Sequence, residues 1–564
     1  MRPARSRKKL LVVAVAATLA FAACSTDPAA EFEDHPPEST PTTADGDDTT
    51  TEAPSEDHTA SEPPESEPAP EPVTVSEFVA ESGGPVELEV EVGPLVREGD
   101  HAVLPLNFTT VEDYDEQVNI FSLLMATPHA NTTWQVRLVD AEALTTSEPL
   151  VSGDRPNRDR LATFPDSPTY APHRTEPLPW LGVFDAPEAD STHVLLPYFG
   201  LVEDVPVVDG PLEGVPAIGE VWDDADLTEL EPRTFELERY RERTDVHVGT
   251  ESEGDRSTTT LATDVLFAPD EWELTGEADE TLQAAIGELS GVGGRNLEVV
   301  GHTDNVDGAV DNQELSDNRA AAVRDRLEDL KDLSVFDEVT TDGRAATEPI
   351  AGNDSEEGRA ANRRVELHYT SPPEPPALDE SGTELPGTEA PTASGAEAVE
   401  VTHGDGRTAA VSVDSVRRVG DLFVGRVSVE AVTGFSGEED HDGVPVAWPL
   451  TTGTQGSQDG QGGTQTAWRT DAPTLLAGNN RLFPLSYVSG EDEDGEPTRL
   501  PLTDLQFAPT PYYRSGDTAT ATILWPAVGT DNVTIDVPDE TENITGQTRA
   551  IWLNPWRLTD VPVE

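Results

Sequence analysis

The sequence predicts a multidomain chain: a central α/β domain flanked by two β-sandwich-like modules, with disordered acidic linkers. Three observations predict it. The 564 residues are a soft prior of three to four domains. Acids outnumber Lys plus Arg 110 to 35, and 48 Pro with 44 Gly point to spacers and many turns. Hydrophobic periodicity changes along the chain, from strand-like at both ends to alternating strands and helices in the middle. The formal charge of -75 argues against nucleic acid and against a basic patch on anionic lipid.

The elements follow in chain order. Arg2, Arg5, Arg7, Lys8 and Lys9 form a positive n-region before the apolar run Leu10–Ala20. That run is too short for a transmembrane helix and reads as a secretory signal over residues 1–23. Phe21-Ala22-Ala23-Cys24 follows, and small residues before a cysteine resemble the bacterial lipobox. The resemblance implies cleavage before Cys24 and lipidation of its thiol. Cys24 is the sole cysteine, so lipidation also explains an exposed thiol in an exported chain.

Residues 24–73 form an acidic Pro/Thr/Glu tether. No Lys or Arg occurs between Lys9 and Arg97, and such a segment cannot bury enough apolar surface to offset its ordering entropy. A Pro-rich linker is expected over 371–396, and a long Gly/Gln/Ser loop over Gly453–Gly463.

Folded regions are expected at 74–250, 256–370 and 397–564. The outer two read as β-rich: Val86-Glu-Leu-Glu-Val-Glu-Val92 alternates apolar and acidic residues, and Val424-Gly-Arg-Val427-Ser-Val429 behaves similarly. Val90–Phe108 and Val411–Val429 align without gaps, matching Arg97, Gly99 and Asp100 to Arg418, Gly420 and Asp421. Each reads as a hairpin with Gly-Asp in the turn. Asp190–Pro197 echoes Asp531–Pro538 more weakly. The third region is therefore expected to be a duplicate of the first.

In the middle region the expected order is a strand at Thr263–Phe267, a helix over Glu277–Leu289 and a buried strand at Leu297–Val300. A helix over Asn312–Leu330, a strand at Val335–Val339, a helical turn near Glu356–Ala361 and a last strand at Arg364–Tyr369 complete it. Three ordered motifs lie in this region: Gly301-His302-Thr303-Asp304, Asn312–Val323 containing Arg319, and Gly358-Arg359-Ala360-Ala361-Asn362-Arg363-Arg364-Val365. Together they resemble the OmpA-like C-terminal domain, shared by the peptidoglycan-associated lipoprotein and flagellar motor stator proteins. The resemblance covers about 110 residues, a fifth of the chain. It implies noncovalent binding of peptidoglycan through the diaminopimelate of its stem peptide.

A diaminopimelate end carries an ammonium and a carboxylate on one carbon. A complementary site needs one carboxylate and one guanidinium a few ångströms apart. Asp304, past a strand end, can accept from the ammonium; Arg319, fifteen residues on in a helix, can grip the carboxylate with a two-pronged hydrogen bond. These positions match the family's ligand-binding Asp and Arg. The resemblance extends the site to Asp270, Thr303, Asn305 and Arg363. Ala268-Pro269 before Asp270 replaces a more usual polar or aromatic pair. A plain alternative is an internal salt bridge between Asp304 and Arg319. His302 reads as a packed, hydrogen-bonded histidine.

No HExxH, GxSxG, Walker loop or cysteine nucleophile occurs, so no catalytic residues, cofactor or metal are expected. The acidic runs Glu438–Asp442 and Glu491–Asp494 lack the closing Glu of a calcium loop. The expectation is an exported, non-enzymatic lipoprotein, anchored in the cell or outer membrane by lipid on Cys24 and facing the wall. The β modules would meet an envelope protein partner, orient the OmpA-like domain or act as spacers. Two alternatives stand beside it: a partner-binding or sensory lipoprotein merely localised by its OmpA-like domain, and an envelope hydrolase with a site in a β module.

Overall fold

The computed structural model describes residues 70–564 apart from 82–83, 112–119, 121–123, 127–132, 153–159, 166–176, 223–229, 247, 290–294, 307, 309, 371–384, 396, 436–447, 451, 454–467, 492–496, 505, 508–513 and 539–553. The signal segment, Cys24, nearly all of the tether and most of Gly453–Gly463 lie outside the described residues, as do Glu438–Asp442 and most of Glu491–Asp494. Among the described residues no helix is long and apolar enough to cross a membrane.

The chain is mostly β, with several sheets and few helices. The central region has helices on a sheet, as its periodicities demand. Strand Asn296–Gly301 pairs in parallel with Glu338–Gly343 and antiparallel with Arg364–Thr370, which in turn pairs with Arg256–Ala262. Helices Ala278–Glu288 and Asn312–Leu330 contribute Ala278, Leu282, Ala285, Ala320, Val323 and Leu327 to a core with Leu297, Val299, Val365 and Leu367. The longer helix starts where Asp311 accepts a hydrogen bond from the Gln313 N–H, capping its first turn.

Three sequence expectations are corrected. Thr263–Leu266 is a single helical turn, not a strand, because Arg256–Ala262 already fills that place in the sheet. Leu333–Val335 is a 3-10 turn, and the strand expected at Val335–Val339 begins at Glu338. Within the expected linker 371–396, Thr392–Ser394 pairs in parallel with Arg557–Thr559.

The two outer hairpins close on Gly99-Asp100 and Gly420-Asp421, with Glu98 opposite His101 and Val419 opposite Leu422. Gly99 and Gly420 sit at φ +69° and +55°, where a Cβ would be strained. Their pairings coincide position for position in the ungapped alignment. Val90 faces Phe108 as Val411 faces Val429, and Val96 faces Val103 as Arg417 faces Val424. The break at Gly93-Pro94 falls where the C-terminal hairpin shifts register between Val413 and Ser415. The partner strands also correspond: Leu106 faces Trp180 as Val427 faces Ala521, and Leu95 meets Val207 as Val416 meets Val563.

Sequence reasoning treated the three regions as separate. In the structure Pro68–Glu564 is one compact unit. Strand Val248–Glu253 crosses the expected limit at 250 and pairs with Arg256–Ala262. Its neighbour Glu238–Arg243 pairs with Asn480–Leu482, so one sheet runs from the central region into the C-terminal one. The outer modules share a core in which Val139, Leu195, Leu201 and Leu237 pack with Leu422, Val424, Tyr487 and Leu524. Arg137, fully buried, donates to the carbonyls of Pro501 and Thr503 at 3.0 and 2.9 Å.

Asp504 lies beside that contact, 2% exposed, and accepts from the Thr522 N–H at 2.6 Å. A Cβ on Gly200 of the first module would lie 2.6 Å from Thr522 Oγ1. Burial pushes the Asp504 carboxyl up to about 7, against the hydrogen bonds of Thr522 and the charge of Arg426. A folded-state value above the unfolded one means that the folded form holds the proton more tightly. The contribution is complete below about pH 4 and is lost as pH rises towards 7. Asp504→Asn keeps an acceptor for Thr522 and has no charge to bury. It is expected to stabilise the chain above pH 7 by roughly 2 kcal/mol. Unfolding midpoints of both proteins between pH 4.5 and 8 check this; parallel curves would refute it.

Candidate functional site

The sheet ends where the chain leaves Gly301. A Cβ at Gly301 would lie 2.3 Å from the Ser316 carbonyl, so helix Asn312–Leu330 crosses this strand end at backbone contact. That approach fixes where Asp304 and Arg319 stand. Thr303 is buried: its N–H donates to the Ala345 carbonyl at 2.9 Å and its hydroxyl to the Asp304 carbonyl at 3.0 Å. Asn312 Nδ2 donates to that same Asp304 carbonyl at 3.3 Å. The backbone of Asp304 is thus held from two sides before its carboxylate makes any contact.

The Asp304 carboxylate is 12% exposed. Oδ1 accepts from the Val306 N–H at 3.0 Å and Oδ2 from Arg363 Nη1 at 2.8 Å. A carboxylate offers about four lone-pair sites, so these two bonds leave capacity for an ammonium. Arg363 is the hub of an acidic cluster. It forks onto Asp264 at 2.9 and 2.7 Å and reaches Glu356 at 3.0 Å. The Asp264 pair, against burial, and the bond to Asp304 hold its guanidinium well above the ordinary arginine value.

Arg319 is 4% exposed and lies over the Phe267 ring, 5.2 Å from its centroid. Nε donates to the Glu271 carbonyl at 3.0 Å and Nη2 to the Ala268 carbonyl at 3.4 Å. Burial lowers its affinity for its proton, offset by the charges of Asp264, Asp270 and Asp304. Among the described residues no carboxylate lies within ion-pairing distance of Arg319. Asp304 is paired to Arg363, so the internal Asp304–Arg319 salt bridge does not form.

Asp270 is exposed, at φ +57°, and its carboxylate abuts Gly308: a Cβ there would lie 2.2 Å from Oδ1. Asn305 is exposed, its N–H 3.4 Å from Asn353 Oδ1. The last helix is pinned by Asn362, which accepts from the Ile350 and Ala351 N–H groups. His302, 1% exposed, has Nε2 3.4 Å from Glu366 Oε2. Against burial, His302 and His368 together with Arg364 hold that carboxylate far below the ordinary range.

Sequence reasoning missed Asp264 and Glu356. Asp264 fell in an expected strand; the helical turn brings it to Arg363 instead. No cluster of three or more His, Cys, Asp or Glu that could hold a metal ion occurs among the described residues.

Residues 266–363 match the OmpA family. Over 123 residues the chain is 35% identical to an Escherichia coli protein named as a lipoprotein, YfiB, covering 22% of this chain and 76% of that one. Over 113 residues it is 33% identical to a photosystem I chlorophyll a apoprotein of Gloeobacter violaceus, covering 19% of this chain and 13% of that one. A solved structure described as the cell wall anchor of the T6SS from Pseudomonas aeruginosa is 38% identical, covers 22% of this chain and 87% of that one, and aligns with a TM-score of 0.21.

Proposed function

From the premise that the chain belongs to the OmpA family through residues 266–363, we propose that it is a cell-envelope lipoprotein bridging membrane and wall. It binds peptidoglycan noncovalently through the diaminopimelate of the stem peptide, without catalysis. Cys24 carries the lipid, residues 24–73 span the gap, and the duplicated β modules carry the clamp and meet an envelope partner.

One observation carries the binding site. A buried Arg319 is anchored by main-chain carbonyls, while the nearby Asp304 is already fixed by Arg363. Arg319 can therefore grip a ligand carboxylate without giving up an internal ion pair. Asp304 keeps lone pairs for the adjacent ammonium. Asp270 and Asn305 stand exposed at the rim, and Thr303 and Arg363 hold Asp304 in place.

Wall chemotype tests this. A lysine-type stem peptide has the side-chain ammonium but lacks the carboxylate on the same carbon. The full chain is expected to cosediment with diaminopimelate-type peptidoglycan and to leave lysine-type peptidoglycan almost unbound. Because the charge of -75 repels wall carboxylates, binding rests on local fit, and added salt should weaken it only modestly. Equal binding to both walls would overturn the proposal.

A further inference from the structure

Four large apolar side chains are exposed among the described residues: Val111, Trp272, Val306 and Val335. Two of them sit on the loops that build the candidate site. Trp272, 40% exposed, follows Glu271, whose carbonyl receives Arg319 Nε. Val306, 54% exposed, donates its N–H to Asp304 Oδ1. The two loops abut, because Asp270 packs against Gly308. An indole and an isopropyl group therefore stand exposed on the two loops that carry the anchoring contacts of Arg319 and Asp304, next to them in sequence.

Exposing an indole costs apolar hydration unless something covers it. The ligand's chemistry says what does. Peptidoglycan offers charged peptide groups, which Asp304 and Arg319 answer, and uncharged pyranose rings, which they do not. A pyranose presents a face of C–H bonds, weakly positive and apolar, that matches the negative face of an indole. Exposed Glu271 and Glu273 on either side can accept from sugar hydroxyls.

We propose that Trp272 stacks on a sugar ring of the glycan strand beside the bound stem peptide, with Val306 completing the apolar rim. This rests on the peptidoglycan-binding reading and extends it: the site takes the saccharide together with the peptide.

The test titrates the full chain with two probes, the free diaminopimelate-containing stem peptide and the same peptide linked to its disaccharide. The wild type is expected to bind the disaccharide-peptide roughly tenfold more tightly. Trp272→Ala should remove that advantage and leave affinity for the free peptide unchanged, whereas Trp272→Phe should keep most of it. Equal affinity of the wild type for both probes would overturn the stacking while leaving peptide recognition intact. So would a Trp272→Ala loss that is the same for both. If the wild type binds neither probe, the peptidoglycan reading itself fails and the stacking falls with it.

Discussion

Arg319→Ala and Asp304→Ala are each expected to weaken binding of diaminopimelate-type peptidoglycan by roughly 2–5 kcal/mol, a loss of at least about thirtyfold. Each substitution leaves one charge of the ligand without its partner in a water-poor site. The structure indicates that the losses are not disguised unfolding. Removing Arg319 frees the carbonyls of Ala268 and Glu271, which belong to exposed residues and can take water instead. Removing the Asp304 carboxylate leaves Arg363 with Asp264 and Glu356. Arg319→Lys keeps the charge but loses the fork and should fall between wild type and Arg319→Ala. Cosedimentation with circular dichroism of each variant decides this; undiminished binding by a folded Arg319→Ala protein would remove the site.

Glu148→Ala is expected to cost roughly 3–5 kcal/mol of stability, because it strips a buried cation of its counter-charge. Glu148 is 2% exposed, is ion-paired with Arg160 at 2.9 Å, and accepts from Arg233 at 2.5 Å and the Tyr487 hydroxyl at 2.8 Å. Against burial, the two guanidinium charges keep its carboxyl below the ordinary value, so its contribution is present at neutral pH and is lost as pH falls through that lowered value. Tyr487 belongs to the C-terminal module and Glu148 to the first, so the cluster ties one to the other. Thermal unfolding followed separately in the two modules should show both midpoints dropping together. A drop confined to the first module would show that the cluster does not couple them.

The candidate site was half legible in the sequence. Asp304 and Arg319 stood out because their motifs are local and their chemistry is specific. The shell that holds them was not legible, because its partners are distant. Arg363 reaches Asp264 across 99 positions and Asp304 across 59, and no periodicity encodes such a pairing. Trp272 lay in view as one of 9 Trp, but only the burial of Trp180, Trp448, Trp525 and Trp556 marks an exposed one as unusual.

For the fold, the sequence by itself determined what depends on near neighbours. Helix Asn312–Leu330 came from its apolar spacing, and the paired hairpins from alternation around Gly-Asp, where two residues of turn set the pairing. Tertiary structure alone decided what depends on unsatisfied edges and faces. Strand Glu238–Arg243 has an edge that must bond to something, and Asn480–Leu482 meets it, which extends the central sheet into the C-terminal region. Leu201 and Leu422 read as ordinary strand residues in separate modules, yet each buries itself in the core that both modules share. Backbone pairing and apolar burial ask only for a complementary surface, not for one nearby in sequence. Regions that looked like beads on a string therefore close into one body.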